Sequence, residues 1–441
     1  MELTSIRNLA ARAEPNARLL ALFALAVIFS GGERYFANLS KLLHYGFDVA
    51  LLAALGVLLI ARPSRIALRV IPYALWICLY YAWGVAVSTD RSVIRSAAAS
   101  DVILNLLILS TVALAVTTRS DVGRLAGYVQ FAVIANFAFA LAQAINFHVL
   151  VEMAYILDPR TFSYNIYRPA GLWIDPNVAG IGYLFGFLIS LLLSDRRLLA
   201  WSGRSAALIG ILFTGSREAM YPLLVCCGVV AVVYAYRRGW RLKRLTALKI
   251  PAVVPAAAAA ILIAAALAVW LSPMREPVMY NLHRFLDASA RGPAEPSRFQ
   301  LATYWINRAV HGPWYGSGVF SFQGNGRTVY GAHNIYLTVW GEVGGPLLAI
   351  YMTVLALGVV WLLRAKLPLL DLTTLALMWA TYLVLGFTWH NQFSAVESIV
   401  VAGLLYVVPQ AISDPVAASS LLHDLFLKPA RPAIRTGMFT H

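Results

Sequence analysis

The sequence predicts an all-α, polytopic integral membrane protein with about twelve transmembrane helices. Hydrophobic residues make up 60% of the 441 residues and charged residues only 12%, and the mean hydropathy is +0.71. Such a composition lies far outside the range of a soluble domain. Apolar runs of the length that a helix needs to cross a hydrocarbon core of about 30 Å recur from end to end. We therefore expect residues 1–441 to form a single membrane domain.

The apolar runs are the predicted spans, in chain order. They cover residues 17–32, 42–61, 69–88, 101–118, 124–147, 172–193, 204–215, 218–237, 251–272, 334–362, 368–388 and 393–412. The first run follows Arg7, Arg12 and Arg18 but precedes no small-residue cleavage site, so we interpret it as a retained signal anchor. The seventh run is short for a span.

Basic residues in the connections predict the orientation of these spans. With the N-terminus inside, the inner segments hold about 22 of the 35 lysines and arginines. Both termini, including the tail at 413–441, are then cytoplasmic. The hydrophilic loop 273–332, which is expected to contain short amphipathic helices, lies on the outer side. The net charge of +15 is mainly topological, and we expect membrane lipids rather than nucleic acid as partners.

The basic residues on the outer side are arginines, with Lys41 the only lysine. Arginine carries a planar fork of donors that fits phosphate oxygens, whereas lysine acts as a point charge. This bias indicates a phosphate ligand near the outer leaflet. Because only five of the 35 basic residues in the whole chain are lysines, an arginine-rich composition is an alternative explanation.

Two outer stretches place a Ser-Arg pair at a predicted helix start, with Arg217 in TGSREAM and Arg298 in EPSRFQ. An arginine in the first turn opposes the helix dipole, and the unpaired N–H groups there attract an anion. A bound phosphate would neutralise the arginine and accept hydrogen bonds from these N–H groups, so both arginines are candidate substrate-binding residues. Alternatively, Arg217 pairs with Glu218, Arg298 pairs with Glu295, or the side chains reach water.

The second of these stretches predicts a short amphipathic helix at the membrane interface. Ser297 and Gln300 have the spacing of a capping box. An apolar stripe at helical spacing follows, formed by Phe299, Ala302, Ile306 and Ala309.

A third outer stretch, YRPAGLWIDPNVAG, leads into another span. Asp175 is expected to cap the helix and Pro176 to take its first position, so that Asp175 and Asn177 are structural. Arg168 has no obvious local partner and joins the candidate substrate-binding residues.

The tenth run begins at a His-Asn pair in GAHNIYLTVWGEVGG. A helix that begins at Asn334 presents its free N–H groups beside His333 at the outer boundary. A neutral imidazole can accept a hydroxyl proton near pH 7, so His333 is the candidate catalytic base. Asn334 is expected to fix the ring or bind the substrate, or else only to cap the helix. His390, in FTWHNQF, is the reserve candidate for the base.

Four stretches, taken in order, resemble the O-antigen ligase and polymerase superfamily of bacterial envelope glycosyltransferases. They are GLWIDPNVAG, TGSREAM, SRFQLATYWINRAVHGPWYGSGVF and HNIYLTVWGEVGG. The match covers roughly residues 165–350, which we expect to be the catalytic core, including the loop 273–332. Members of the family transfer a glycan from undecaprenyl diphosphate to an acceptor hydroxyl at the periplasmic face. The resemblance implies that Arg217 and Arg298 meet the diphosphate and that His333 stands beside the acceptor.

The resemblance also suggests a position within the family. Its Pro-x-x-Gly-x-Gly element is matched by Pro313, Gly316 and Gly318. The chain looks most like an O-antigen ligase, which joins polysaccharide to a sugar of the lipid A core during lipopolysaccharide biosynthesis in the inner membrane. An O-antigen polymerase and a protein O-oligosaccharyltransferase are alternatives. A lipid-linked-sugar transporter is an alternative of another class, which should place its key charges near mid-membrane.

The chemistry of such a transfer can be argued from the residues. The leaving diphosphate needs its growing charge stabilised, and the attacking hydroxyl must lose a proton. The chain has no Asp-x-Asp motif and no outer cluster of carboxylates for Mg²⁺ or Mn²⁺, so we expect no metal and no other cofactor. Single displacement inverts the anomeric configuration, whereas double displacement needs a carboxylate nucleophile such as Glu342. Because Glu342 lies more than two turns into its predicted helix, inversion is favoured.

Overall fold

The computed structural model describes residues 3–31, 41–61, 68–88, 91–144, 168–173, 175–193, 196–237, 275, 279, 298–322, 331–387 and 396–413. Within these residues the regular structure is helical. The α-helices are α1 (Leu3–Phe29), α2 (Lys41–Ala61), α3 (Ile71–Val87), α4 (Arg91–Ala115), α5 (Arg119–Ala144), α6 (Pro176–Ser190), α7 (Arg197–Thr214), α8 (Arg217–Arg237), α9 (Arg298–His311), α10 (Ile335–Val343), α11 (Gly345–Arg364), α12 (Leu369–Leu385) and α13 (Val396–Ile412).

Four segments of these helices are long and apolar enough to cross a membrane: Leu68–Val87, Ala97–Ala115, Arg119–Ala144 and Gly345–Arg364. Four more apolar helices are shorter. Large apolar side chains also point outward from the helices, and water would oppose their exposure whereas lipid favours it. The chain is therefore an α-helical membrane protein. The count of twelve spans and the sidedness of the loops stay predictions.

Each predicted run outside 251–272 overlaps a helix, and residues 251–272 lie outside the described residues. The short seventh run is longer in the structure, because α7 begins at Arg197 rather than at residue 204. Hydropathy alone missed this first part of the helix because it begins with Arg197 and includes the polar Ser202. Within the predicted run, Arg204 donates to the Ser190 carbonyl at 3.0 Å.

The tenth run is not one helix, contrary to the prediction of a span at 334–362. It divides at Gly344, which separates the nine-residue α10 from the membrane-crossing α11. Gly344 has φ +90°, and a Cβ there would lie 2.2 Å from the Trp314 carbonyl oxygen. The left-handed backbone interrupts the helical hydrogen bonds, and Pro346 then suits the first turn of a new helix.

Polar contacts show which helix ends lie together. The starts of α5 and α12 meet where Arg119 lies 3.1 Å from Asp371. At the far end of α5, Gln143 exchanges two hydrogen bonds with Gly171, at 2.9 and 3.1 Å. At the far end of α12, the Gly386 carbonyl accepts from the Ile335 N–H at 2.8 Å. Residues 168–173 and the start of α10 therefore lie at the same end of the bundle, which we call the site end.

Candidate functional site

The Pro-x-x-Gly-x-Gly element lies as bare backbone against α10. The Ser317 N–H donates to the Gly341 carbonyl at 2.8 Å, and the Gly318 N–H donates to the Glu342 carbonyl at 2.9 Å. Gly316 and Gly318 have φ values of +94° and +98°. A Cβ at Gly316 would lie 2.3 Å from the Glu342 carbonyl oxygen. Glycine is therefore required here by both conformation and space.

Helix α9 docks on this turn through Trp305, which is fully buried. The Trp305 and Phe322 rings lie 4.7 Å apart, and the Arg308 guanidinium lies over both, at 5.3 and 5.5 Å from their centroids. The predicted apolar stripe is wrong at Ile306, whose side chain is exposed. Burying the larger Trp305 surface is more favourable, so the helix is rotated towards that residue.

His333 has a left-handed backbone, with φ +47°. For a non-glycine residue this conformation costs on the order of 1–2 kcal/mol, so neighbouring contacts must hold it. On one side, the Ala332 N–H donates to the Phe322 carbonyl at 3.0 Å. On the other, the Ile335 N–H is bound to Gly386. The half-buried His333 is thus held at the site end, directly before α10.

Asn334 caps α10, which is one of the roles predicted for it from the sequence. Its Oδ1 atom accepts from the Leu337 N–H at 3.0 Å. The Thr338 hydroxyl also donates to the Asn334 carbonyl, at 2.9 Å. The cap explains why an amide occupies this position, and a role in substrate binding stays a prediction.

Arg217 is the first residue of α8 and is half-buried. Helix α7 ends at Thr214 and is capped by Gly215, which has φ +57°, so that Ser216 alone separates this cap from α8. Within the described part of the chain, the Arg217 side chain has no hydrogen-bond or ion-pair partner, so the alternative pairing with Glu218 is not formed. The buried Ser216 hydroxyl likewise lacks a hydrogen-bond partner among those residues. Donors at this helix start are thus available to an anion.

Arg168 is buried and bound to protein atoms, so the expectation that it lacks a local partner is wrong. Its Nε atom donates to the Thr214 carbonyl at 2.8 Å, and its Nη2 atom donates to Asn177 Oδ1 at 2.9 Å. Asp175 caps α6 as predicted, accepting from the Asn177 N–H at 2.6 Å. The end of α7 offers a carbonyl that its own helix leaves unpaired, and this attracts the guanidinium. Arg168 therefore ties the α6 entry loop to the segment before Arg217.

Three predicted features lie wholly or partly outside the described residues. Arg298 begins α9, but its side chain is outside them. The capping residue Ser297 and the reserve base His390 are also outside them.

The sequence suggests Glu342 only as a possible nucleophile and does not suggest its pairing with Tyr80. Glu342 is fully buried, and its carboxylate accepts hydrogen bonds from the Tyr80 hydroxyl and, at 3.1 Å, from the Phe322 N–H. Burial raises the pKa of Glu342, which precedes the membrane-crossing helix α11, to about 7, against the effect of these hydrogen bonds. A carboxylate within an apolar helical run is a sequence signal for such a role, whereas Tyr80 has none.

The fold and site define an α-helical membrane protein whose candidate histidine and two of its candidate arginines lie at one end of the bundle. Residues 204–352 match the family model described as O-antigen ligase. This match confirms the resemblance to the O-antigen ligase superfamily that the motifs carry. The family comprises glycosyltransferase-like ligases and polymerases and implies lipid-linked glycans as the general substrate class. No curated protein matches the chain.

Proposed function

We propose that this protein is an O-antigen ligase. It transfers a polysaccharide from undecaprenyl diphosphate to a sugar hydroxyl of the lipid A core, at the periplasmic face of the bacterial inner membrane. The observation that supports this proposal best is the position of His333 within the family domain. Its left-handed backbone is held from both sides at a helix start, as expected for a residue whose orientation matters to function.

The donor diphosphate binds at the start of α8 in this proposal. Arg217 offers a guanidinium without a partner among the described residues, and the α8 N-terminus adds unpaired N–H groups. Arg298, at the start of α9, is the second proposed ligand. Arg168 belongs to the same donor site because its bond to Thr214 holds the segment that leads into Arg217. The arginines stabilise the charge that grows on the leaving diphosphate.

The acceptor hydroxyl is activated by His333. A neutral imidazole takes the hydroxyl proton as the oxygen attacks the anomeric carbon, and the bond to the diphosphate breaks in the same displacement. The product has the inverted anomeric configuration. Asn334 is proposed to contact the acceptor in addition to capping α10.

The proposed reaction uses no metal ion. Among the residues that the structure describes, no group of three or more His, Cys, Asp or Glu side chains is arranged to hold one. Arginines supply the positive charge at the leaving group instead. Transfer should continue in EDTA, and activity that is lost in EDTA and restored by Mg²⁺ or Mn²⁺ would contradict this mechanism.

The deciding experiment offers the purified protein an undecaprenyl-diphosphate-linked glycan with lipid A core or with no second acceptor. Product that depends on the core supports a ligase. Growth of the glycan without the core indicates a polymerase, and glycan attached to an added acceptor protein indicates an oligosaccharyltransferase. Movement of the carrier across a liposome without transfer indicates a transporter.

A further inference from the structure

The carboxylate of Glu342 gathers donors from two distant parts of the chain. The Tyr80 hydroxyl comes from α3, and the Phe322 N–H comes from the turn after α9. The Glu342 carbonyl holds the same turn through Gly318. A carboxylate can accept about four hydrogen bonds, so this one side chain can satisfy both donors.

The bonds continue from the carboxylate to the candidate base. The Phe322 N–H donates to Glu342 Oε1 at 3.1 Å, and the Phe322 carbonyl accepts from the Ala332 N–H at 3.0 Å. His333 follows Ala332 directly. Two hydrogen bonds therefore connect the buried carboxylate to the residue next to the base.

The turn that contains Phe320 and the turn that contains His333 both need contacts that hold their backbone conformation. Phe320 and His333 are the non-glycine residues with positive φ among those described, at +67° and +47°. Such conformations are populated only when surrounding contacts hold them. Without Glu342, the Phe322 N–H would be buried and unpaired, and the turn would shift to find another partner.

We propose that Glu342 is a positioning residue that orients His333 through Phe322 and Ala332, assisted by the Tyr80 hydroxyl. This inference rests on the proposed function, because it assumes that His333 acts on the acceptor. Glu342 does not touch substrate in this proposal, and it affects the turnover rate rather than donor binding.

The first test separates positioning from chemistry at Glu342. Glu342→Ala should slow turnover by about 10- to 100-fold, the loss expected when a catalytic group is misplaced by about 1 Å, with the donor KM changed less than about twofold. Glu342→Gln keeps an oxygen for the Phe322 N–H and an amide for Tyr80, so it should recover most of the rate. A Gln variant that binds donor normally but fails to turn over would overturn the proposal, since the carboxylate would then take part in the chemistry.

A matched pair of tyrosines tests the same inference if Glu342→Ala does not fold. Tyr80→Phe removes the hydroxyl that binds Glu342 and should lower turnover without changing the donor KM. Tyr73→Phe is the control, because Tyr73 is also buried on α3 but its hydroxyl binds Tyr382 at 2.8 Å. Equal effects of the two variants, or a wild-type rate for Tyr80→Phe, would rule out the positioning role.

The result can be told apart from a failure of the proposed function. If His333→Ala transfers glycan at the wild-type rate, His333 is not the base, and the proposed mechanism and this inference both fail. If His333→Ala is inactive while Glu342→Ala is fully active, only the inference fails.

Discussion

At the scale of single residues, His333 combines an unfavourable backbone conformation with a side chain that can act as a base. A histidine in a left-handed conformation is less stable than a glycine at that position, so folding stability does not explain the residue. Arg217 is similar, because its charge opposes the dipole of the helix that it begins. Both residues are explained if they act on substrate.

His333→Gly separates the effect of this residue on folding stability from its effect on catalysis. Glycine fits φ +47° without strain, so the variant should fold at least as well as the wild type but lack the base. Transfer should fall by about 10²- to 10⁴-fold, with donor binding retained. His333→Gln should be nearly as inactive, because an amide cannot take the proton. The control is His311→Ala, since His311 is exposed and, among the described residues, its ring contacts Asn307 of its own helix. A Gln variant near the wild-type rate would move the base elsewhere, to His390 first.

Arg217→Ala should weaken binding of the lipid-diphosphate donor by about 10- to 100-fold, the range for losing a charge-assisted hydrogen bond. Arg217→Lys should restore little of this binding, because an ammonium cannot form the bidentate contact. Arg124→Ala is the control, as Arg124 is exposed near the start of α5, opposite the site end. Equal donor affinity for the Lys variant and the wild type would show that Arg217 serves folding or topology instead.

At the scale of elements, the site is built where irregular segments join helices. The turn at 313–322 lies between the end of α3 and α10, bound to Gly84 through the Val319 N–H at 3.1 Å. The break at Gly344 lets α10 remain short and separate from α11. These joints need glycine because backbone meets backbone without room for a side chain.

Gly318→Ala tests this packing. A Cβ at Gly318 would lie 2.6 Å from Ser88 Cα, and φ is +98°, so the variant should lose roughly 1–3 kcal/mol of stability and much of its transfer activity. Gly123→Ala is the matched control, because a Cβ there meets nothing within 4 Å and alanine favours the α5 helix. Thermal unfolding in detergent measures the stability of both variants. An unchanged melting temperature for Gly318→Ala would contradict the described packing of the turn.

At the scale of the whole molecule, the two ends of the bundle differ. The end opposite the site end is held by internal ion pairs, including Arg18 with Asp121 at 3.1 Å and Arg119 with Asp371 at 3.1 Å. The site end instead carries His333 and Arg217. An enzyme that acts at one membrane surface requires such an asymmetry, whereas a transporter would need its key charges near the midplane.

The proposed topology places the site end outside the cytoplasm. A single cysteine at Trp314, which is exposed, should react with an impermeant thiol reagent in intact spheroplasts. A cysteine at Arg196, at the start of α7 and opposite the site end, should react only after permeabilisation. Both substitutions are made after replacing Cys78, Cys226 and Cys227. The reverse labelling pattern would invert the topology and place the site in the cytoplasm.

Local sequence patterns were enough to predict the membrane class and the approximate helix positions, and to propose His333 and Arg217 as candidates. These follow from local properties, because the length of an apolar run and the residue at a helix start are read within a few turns of chain. The packing of the helices was needed to show that Arg168 binds Thr214, that α9 turns Trp305 rather than Ile306 inward, and that Glu342 contacts Tyr80. Tyr80 and Glu342 are separated by 262 positions. Their pairing depends on which helices pack together, and no local pattern contains that information.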